Sequence, residues 1–208
     1  MSPSDLAFER ASPVVSAPSD WRFAIFVLVT GLLGLVAALA LSIEKAEKLL
    51  DPQQALGCDL SVLVQCSANL DSAQGAAFGF PNPFLGLMGY AVVVTVGVVI
   101  MATTGLARWF WMSFSLGLTF ALGFVVWLIG QSVFVLGTLC PWCLLVWVVT
   151  IPLWVFTVGR CLRTGVFGTR AARFGKALWP WLTLVTLFAY VTVAVVAQLR
   201  LDVIGSLL

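Results

Sequence analysis

Two cysteines three positions apart, Cys140 and Cys143, form a Cys-Pro-Trp-Cys motif at the start of an apolar run. Thiols at this spacing can close a disulfide, exchange it with another thiol pair, or supply half of a zinc site. If Pro141 is the first residue of a helix, Cys140 is the N-cap and both sulfurs lie near exposed backbone N–H groups. The helix dipole there favours thiolate, the species that attacks disulfides. The motif therefore indicates thiol–disulfide chemistry at the edge of an apolar segment.

A second cysteine pair, Cys58 and Cys66, is separated by seven residues in a stretch with few charges and an apolar centre. Such a stretch is expected to lie on a membrane surface or over the helix ends. From there Cys66 reaches Cys140 while Cys58 faces water. We therefore predict a catalytic relay in which a soluble thiol reacts at Cys58, exchange passes through Cys66 to Cys140, and Cys143 resolves the bond.

Other uses of the four cysteines stay open at this point. Four cysteines allow three pairings, so two static disulfides could staple the loop to the helix. A tetrathiolate zinc site is the other alternative, but seven intervening residues exceed the usual two to four and the chain has no histidine. We expect no metal. The chain also lacks the G-x-G-x-x-G motif of flavin or nicotinamide sites.

The elements that position these cysteines are membrane helices. Of 208 residues, 61% are hydrophobic and only 10% are charged, against roughly a quarter in soluble domains. A bilayer crossing takes about 20 helical residues, and the uncharged blocks of that length or more are 23–43, 84–106, 109–159 and 177–199. The third block holds two helices, near 109–129 and 139–158, with a break within 130–138. The sequence thus predicts an all-α integral membrane protein with five spanning helices.

Basic residues predict how the chain is oriented. With a cytoplasmic amino terminus, eight of the eleven Lys and Arg residues lie inside, five of them in the segment 160–176, in keeping with the positive-inside rule. The loop 44–83 and all four paired cysteines then lie outside, where disulfides persist. Cys161 alone lies inside, as a reduced bystander. Residues 1–20 are expected to be a disordered tail, the first apolar block an anchor and not a signal peptide, and Glu44 part of a solvated helix end.

These residues together resemble the vitamin K epoxide reductase family. The matching features are the Cys58/Cys66 pair after the first helix, a serine six residues beyond it at Ser72, and the C-x-x-C motif that opens the fourth helix. Asn82, followed by Gly86 and Tyr90, is similar to the family's entry into the second helix. The resemblance covers roughly residues 21–158. In the quinone-linked thiol oxidase DsbB the two cysteine pairs occur in the reverse order.

The resemblance implies a four-helix bundle around a quinone, here with an additional fifth helix. It places Cys143 next to the quinone ring, makes Cys140 exchange with Cys66, and lets Cys58 meet a thioredoxin-fold partner. Ser72 and Asn82 match positions at the quinone pocket. Trp147 stands where some members have a tyrosine, so the phenolic hydrogen bond to the quinone is missing. The other candidate quinone contacts are Tyr90 and Trp142.

The implied function is that of a membrane thiol:quinone oxidoreductase. It would reoxidise a DsbA-like thioredoxin-fold protein and pass two electrons to a quinone of the menaquinone, ubiquinone or vitamin K type. Alternatives are thiol-driven reduction of vitamin K quinone or epoxide, and a non-enzymatic metal-binding or stapled membrane protein. We expect a bacterial cytoplasmic membrane, cysteines on the periplasmic or exterior face, and no nucleic acid. The expected regions are the tail 1–20, the catalytic bundle 21–159, the basic loop 160–176 and the fifth helix with the carboxyl end, 177–208.

Overall fold

The structure, a computed structural model, describes residues 14–15, 21–53, 56–103, 105–203 and 205. Within them, five helical segments are long and apolar enough to cross a membrane. The helices are α1 (Trp21–Leu50), α2 (Ser67–Asp71), α3 (Asn82–Ala102), α4 (Arg108–Gly130), α5 (Pro141–Arg163), α6 (Thr169–Leu178) and α7 (Leu182–Leu201). The predicted all-α membrane architecture with five spanning helices is therefore confirmed.

The break between α4 and α5 covers residues 137–140, so it overlaps only the carboxyl-terminal end of the predicted break at 130–138. After α4 the chain stays helical through Gln131–Leu136 as a wider helical turn. It ends at Gly137, whose φ of 68° lies in the left-handed region that glycine adopts without steric cost. The N–H of Gly137 donates to the Ser132 carbonyl at 2.9 Å, which closes the turn. Pro141 then starts α5 with Cys140 as the N-cap, as the sequence predicts.

Several boundaries differ from the expectation. Helix α1 runs to Leu50 because residues 44–50 are good helix formers, so the outside loop 44–83 begins within a helix. Much of the basic segment 160–176 is helical, since α5 extends to Arg163 and the amphipathic α6 follows. In the expected tail, Val14–Val15 pairs antiparallel with Leu106–Ala107 through backbone hydrogen bonds. The rest of 1–20 lies outside the described residues.

The main core cluster contains buried residues of α1, α3, α4 and α5. Gly34 on α1 faces Tyr90 on α3 so closely that an added Cβ would lie 2.1 Å from the tyrosine ring. Small residues allow such close approach of membrane helices. The Tyr90 hydroxyl then lies 2.7 Å from Thr150 Oγ1 on α5. Helix α7 packs outside this core, where the Tyr190 hydroxyl donates to the Val148 carbonyl of α5.

Candidate active site

Four of the five cysteines meet at one end of the bundle. Cys58 and Cys66 form a disulfide, with Cα atoms 5.7 Å apart. Cys140 and Cys143 are free thiols, and Cys140 Sγ lies 3.1 Å from Cys66 Sγ. Cys161 is buried near the opposite end of α5, where it accepts a hydrogen bond from Ser115 at 3.3 Å. In this state the disulfide closes within the loop and does not staple the loop to α5.

A short backbone pairing brings the loop to the start of α5. The N–H of Gln65 donates to the Leu139 carbonyl at 3.0 Å, and the N–H of Leu139 donates to the Leu63 carbonyl at 2.8 Å. The two segments run parallel at this bridge. Since Cys66 and Cys140 each follow the bridge directly, their side chains become neighbours.

Asp59 fixes the loop around Cys66. Its Oδ1 accepts the N–H groups of Cys66 at 2.8 Å and Ser67 at 3.1 Å, and its Oδ2 accepts the Ser67 hydroxyl. Burial raises the pKa of the Asp59 carboxyl, but the hydrogen bonds from Ser67, Cys66 and Leu56 outweigh it and hold this pKa below its ordinary value. The loop is therefore anchored by a charged carboxylate at neutral pH.

Lysines of α1 hold the short helix α2 from the other side. Lys45 Nζ donates to the Leu70 carbonyl at 2.7 Å and lies 3.3 Å from an Asp71 carboxylate oxygen. Lys48 Nζ lies 3.5 Å from the second Asp71 oxygen and donates to the Ser67 hydroxyl at 3.2 Å. These contacts tie the segment after Cys66 to the end of α1.

The start of α5 lowers the pKa of the Cys140 thiol, which favours the thiolate form. A hydrogen bond from the Cys143 thiol, together with the N–H groups of Cys143 and Trp142, lowers the pKa of the Cys140 thiol despite burial and the nearby Glu44 charge. Cys140 and Cys66 are fully buried, and Cys58 is only 6% exposed. The expectation that Cys58 faces water is thus wrong for this state, because the disulfide packs in a cluster with Leu41, Leu56 and Leu70.

A cavity of about 720 Å³ lies between α3 and α4, with α5 as its inner wall. Its volume is within the range of sites for small organic ligands. Cys143 lines it, so this residue belongs both to the cysteine cluster and to the cavity. Four of the expected quinone contacts also line the cavity, namely Ser72, Asn82, Tyr90 and Trp147.

Trp142 is placed differently from the expectation. It is not among the described residues that line the cavity. Its side chain packs against the cluster around Leu41, and its indole N–H hydrogen-bonds the Glu44 carboxylate. The physical reason is helical geometry, because adjacent residues of a helix point in directions about 100° apart. Trp142 therefore supports the cysteine cluster, while Cys143 faces the cavity.

The polar side chains at the cavity also organise the backbone. Asn82 accepts the N–H of Ala77 at 3.0 Å and donates to the Gln74 carbonyl at 2.6 Å. Ser72 accepts the N–H of Gly75 at 3.0 Å and donates to the Asn69 carbonyl at 2.8 Å. Both residues thus shape the cavity rim, and any contact with a ligand is additional to these bonds.

Sequence reasoning missed two features of the site. Asn69 donates to Thr138 Oγ1 at 3.2 Å and accepts from the Ser132 hydroxyl at 2.9 Å, which joins the loop to the wide turn after α4. Nothing in the sequence pairs residues so far apart. Glu44, expected at a solvated helix end, is half-buried with Oε2 2.9 Å from Cys58 Sγ. Its position directly after the apolar block of α1, on the side of the cysteine loop, was the available signal.

Glu44, Cys58 and Cys66 place one potential ligand atom each within 4.8 Å of one another. Metal ions bind cysteine as thiolate, whereas the sulfurs of a disulfide carry no charge. In the state described, two of the three groups are joined in the disulfide. These three residues could therefore bind a metal only after the disulfide is reduced. The short distance between Cys140 and Cys66, in contrast, fits thiol–disulfide exchange in the state described.

The chain is similar to a known protein family. The model of the vitamin K epoxide reductase family matches residues 25–158, which includes all four clustered cysteines and helices α3 and α4 in full. No curated protein matches the chain significantly. The matched range ends before α6 and α7, so it covers the cysteine cluster and the cavity but not the fifth crossing.

Proposed function

Because the chain belongs to the vitamin K epoxide reductase family, we propose that it is a membrane thiol:quinone oxidoreductase that reoxidises a DsbA-like thioredoxin-fold protein. Members of the family are oxidoreductases that act on thiol and disulfide groups and use quinones. The proposal adds the direction of electron flow, the protein partner and the roles of individual residues. The quinone is of the menaquinone, ubiquinone or vitamin K type.

The proposed cycle moves two electrons through two dithiol pairs. The reduced partner attacks the Cys58–Cys66 disulfide and leaves it as two thiols, while the partner becomes a disulfide. Cys66 then attacks Cys140 of an oxidised Cys140–Cys143 pair, and Cys58 displaces Cys140, which restores the outer disulfide. The inner dithiol gives two electrons and two protons to the quinone, so that quinol forms and Cys140–Cys143 closes again.

The observation that carries this proposal is that Cys143 belongs both to the cysteine cluster and to the lining of the cavity. Its sulfur is one helical turn from Cys140, which touches Cys66, and the same residue lines the 720 Å³ cavity. A thiol that contacted only the other cysteines could exchange disulfides but could not pass electrons to an acceptor outside the cluster. Contact with an apolar cavity between membrane helices supports transfer to an acceptor dissolved in lipid.

The proposal also assigns regions and orientation. Residues 21–159 form the catalytic bundle, 160–176 the basic cytoplasmic segment, and 177–208 the fifth crossing and carboxyl end. The cysteine cluster and Cys161 lie at opposite ends of α5, and Arg160 and Arg163 accompany Cys161. Basic residues at that end support a cytoplasmic location for it and an exterior location for the cluster.

The decisive experiment is quinone reduction followed by absorbance, with the purified protein, a reduced DsbA-like partner and a quinone. We expect quinol formation by the natural protein and a loss of at least about 1,000-fold in Cys143→Ala, since its thiol is needed to close the inner disulfide. Cys161→Ala is the matched control and should retain the natural rate. Undiminished quinol formation by Cys143→Ala would contradict the mechanism. Vitamin K epoxide in place of quinone tests the alternative activity.

A second variant separates the two cysteine pairs. Cys58→Ala should lose turnover with the protein partner but keep quinone reduction driven by a small dithiol, because the small reagent can reduce the inner pair without the outer one. If both activities are lost together with an intact fold, the two pairs do not act in series.

A further inference from the structure

One acidic side chain lies inside the cysteine cluster, and the relay as described gives it no role. Glu44 projects from α1 with Oε2 2.9 Å from Cys58 Sγ. A disulfide sulfur carries no hydrogen, so Cys58 can donate a hydrogen bond to Glu44 only when it is a thiol. Glu44 is thus placed beside a cysteine whose proton must leave and return in every cycle.

The surroundings hold the carboxylate towards Cys58. The indole N–H of Trp142, at the start of α5, also hydrogen-bonds Glu44. The ionisable groups that face Glu44 are Asp59 from the loop, Glu47 from its own helix, and Cys140 with Cys143 from α5. All of them are acidic, so a proton taken up by Glu44 relieves repulsion within the cluster.

We propose that Glu44 is the general acid–base for Cys58, an inference that rests on the thiol-exchange function proposed above. In the closing step, the Cys58 thiol gives its proton to the Glu44 carboxylate and its sulfur attacks Cys66 of a Cys66–Cys140 disulfide. The Cys58–Cys66 bond forms, the Cys66–Cys140 bond breaks, and Cys140 leaves as a thiolate. No net oxidation occurs, since one disulfide replaces another.

The state described by the structure is the product of this step. The Cys58–Cys66 disulfide is closed, and Cys140 lies 3.1 Å from Cys66, the distance of a group that has just left. The N–H groups at the start of α5 receive the negative charge on Cys140. The same atoms run the step backwards, with protonated Glu44 returning its proton to Cys58 as that sulfur departs.

Among the residues that the structure describes, neither Asp59 nor Glu47 is placed for this task. Both oxygens of Asp59 accept hydrogen bonds from the loop. Glu47 lies one turn further along α1 and is exposed. Solvent is a poor substitute, because Cys58 is only 6% exposed.

The test uses Glu44→Gln, whose side-chain oxygen can still accept the Trp142 hydrogen bond but cannot take a proton. The chain, oxidised in both pairs, is mixed with excess reduced partner and no quinone. Samples are quenched in acid, alkylated and mapped by peptide mass spectrometry. Release of Cys143 reports the attack by Cys66, and release of Cys140 reports the attack by Cys58.

We expect Glu44→Gln to accumulate the Cys66–Cys140 disulfide and to release Cys140 about 100-fold more slowly at pH 6.5, a typical loss for a missing general base. Its rate should rise about tenfold per pH unit towards the ordinary thiol pKa of about 8.5, because hydroxide then does the deprotonation. The natural protein should show a nearly flat profile over the same range. A purely structural role would slow the reaction equally at every pH.

Two further variants keep the test decisive. Glu44→Asp retains a carboxylate at a greater distance and should give an intermediate rate with the flat profile. Glu47→Gln removes a carboxylate from the same helix and should match the natural protein. A Glu44→Gln chain that releases Cys140 at the natural rate, or with an unchanged pH profile, would overturn the role of Glu44.

A parallel run with a small dithiol separates this proposal from the function on which it rests. If the protein partner reduces no cysteine while the dithiol does, the assigned partner is wrong. The role of Glu44 is then still tested by whether the Cys66–Cys140 disulfide accumulates in Glu44→Gln with the dithiol. If the partner reacts and the disulfide does not accumulate in Glu44→Gln, the failure belongs to Glu44 alone.

Discussion

At the scale of single residues, the cysteines of the site differ in function because their surroundings differ. Cys140 is the N-cap of α5 and receives N–H groups that lower its thiol pKa, so it is the good leaving group of the cluster. Cys143, three positions later, lines the cavity. Asp59 has no part in the exchange itself, yet it holds the backbone of Cys66 within reach of Cys140.

Asp59→Asn should therefore loosen the loop. The lowered pKa of Asp59 means that its contribution to loop stability is complete above the ordinary aspartate pKa of about 3.9 and is lost as the pH falls through the lowered folded value. At neutral pH we expect the loop-opening equilibrium to rise about fivefold, equivalent to about 1 kcal/mol for the lost charged acceptor. Hydrogen exchange of peptides covering 56–67 measures this change.

Asp51→Asn is the matched control, since the described contacts of that exposed carboxylate are confined to the neighbouring Gln53 N–H. It should leave exchange in 56–67 unchanged. Equal protection of the loop in Asp59→Asn and in the natural protein would show that the backbone pairing at Leu139 holds the loop without Asp59.

At the scale of elements, the cavity exists because helices on one side pack closely and those on the other do not. Gly34 lets α1 approach α3 at Tyr90, and Tyr90 reaches Thr150 on α5. The same tyrosine lines the cavity between α3 and α4. The position of Tyr90 in the cavity wall thus depends on its contacts with Gly34 of α1 and Thr150 of α5.

Gly34→Ala should disturb both the packing and the cavity. The new Cβ would lie 2.1 Å from the Tyr90 ring, so the ring or the helices must move. Overpacking of this kind costs about 1–3 kcal/mol, and we expect a lower unfolding temperature in detergent and slower quinol formation. Gly123→Ala, where an added Cβ meets nothing within 4 Å, is the control and should keep both properties. An unchanged melting temperature in Gly34→Ala would refute the close contact.

At the scale of the whole molecule, the distribution of basic residues supports the proposed orientation of the bundle. Arg160 and Arg163 end α5, and the amphipathic α6 adds Arg170, Arg173 and Lys176 near the same end. Anionic headgroups and the positive-inside rule favour such a surface on the cytoplasmic side. In the proposed orientation, the cysteine cluster at the other end faces the oxidising compartment.

Labelling of introduced cysteines tests this orientation. In intact cells a membrane-impermeant maleimide should modify Ser61→Cys, an exposed position in the cysteine loop, but should modify Thr169→Cys only after permeabilisation. Peptide mass mapping separates these sites from the native cysteines. The reverse pattern would place the cluster in the cytoplasm and remove the basis for a partner in the oxidising compartment.

The sequence by itself determined that the chain is a membrane protein with five spanning helices. It also determined that Cys58, Cys66, Cys140 and Cys143 belong to one group. These properties depend on local composition and spacing, such as the uncharged blocks, Gly137 in the break, and Pro141 after an N-cap cysteine. Each is a property of neighbouring residues, and the physical chemistry of a bilayer or a helix start acts on them directly.

Only the tertiary structure decided which side chains meet across the chain. It turned Trp142 away from the cavity and brought Glu44 to Cys58 across 14 positions, Asn69 to Ser132 across 63 and Tyr90 to Thr150 across 60. It also buried Cys58, which was expected to face water from a loop lying on the membrane surface. Such contacts depend on how helices rotate and cross, and that is set by packing of the whole bundle, for example at Gly34, and not by any local pattern.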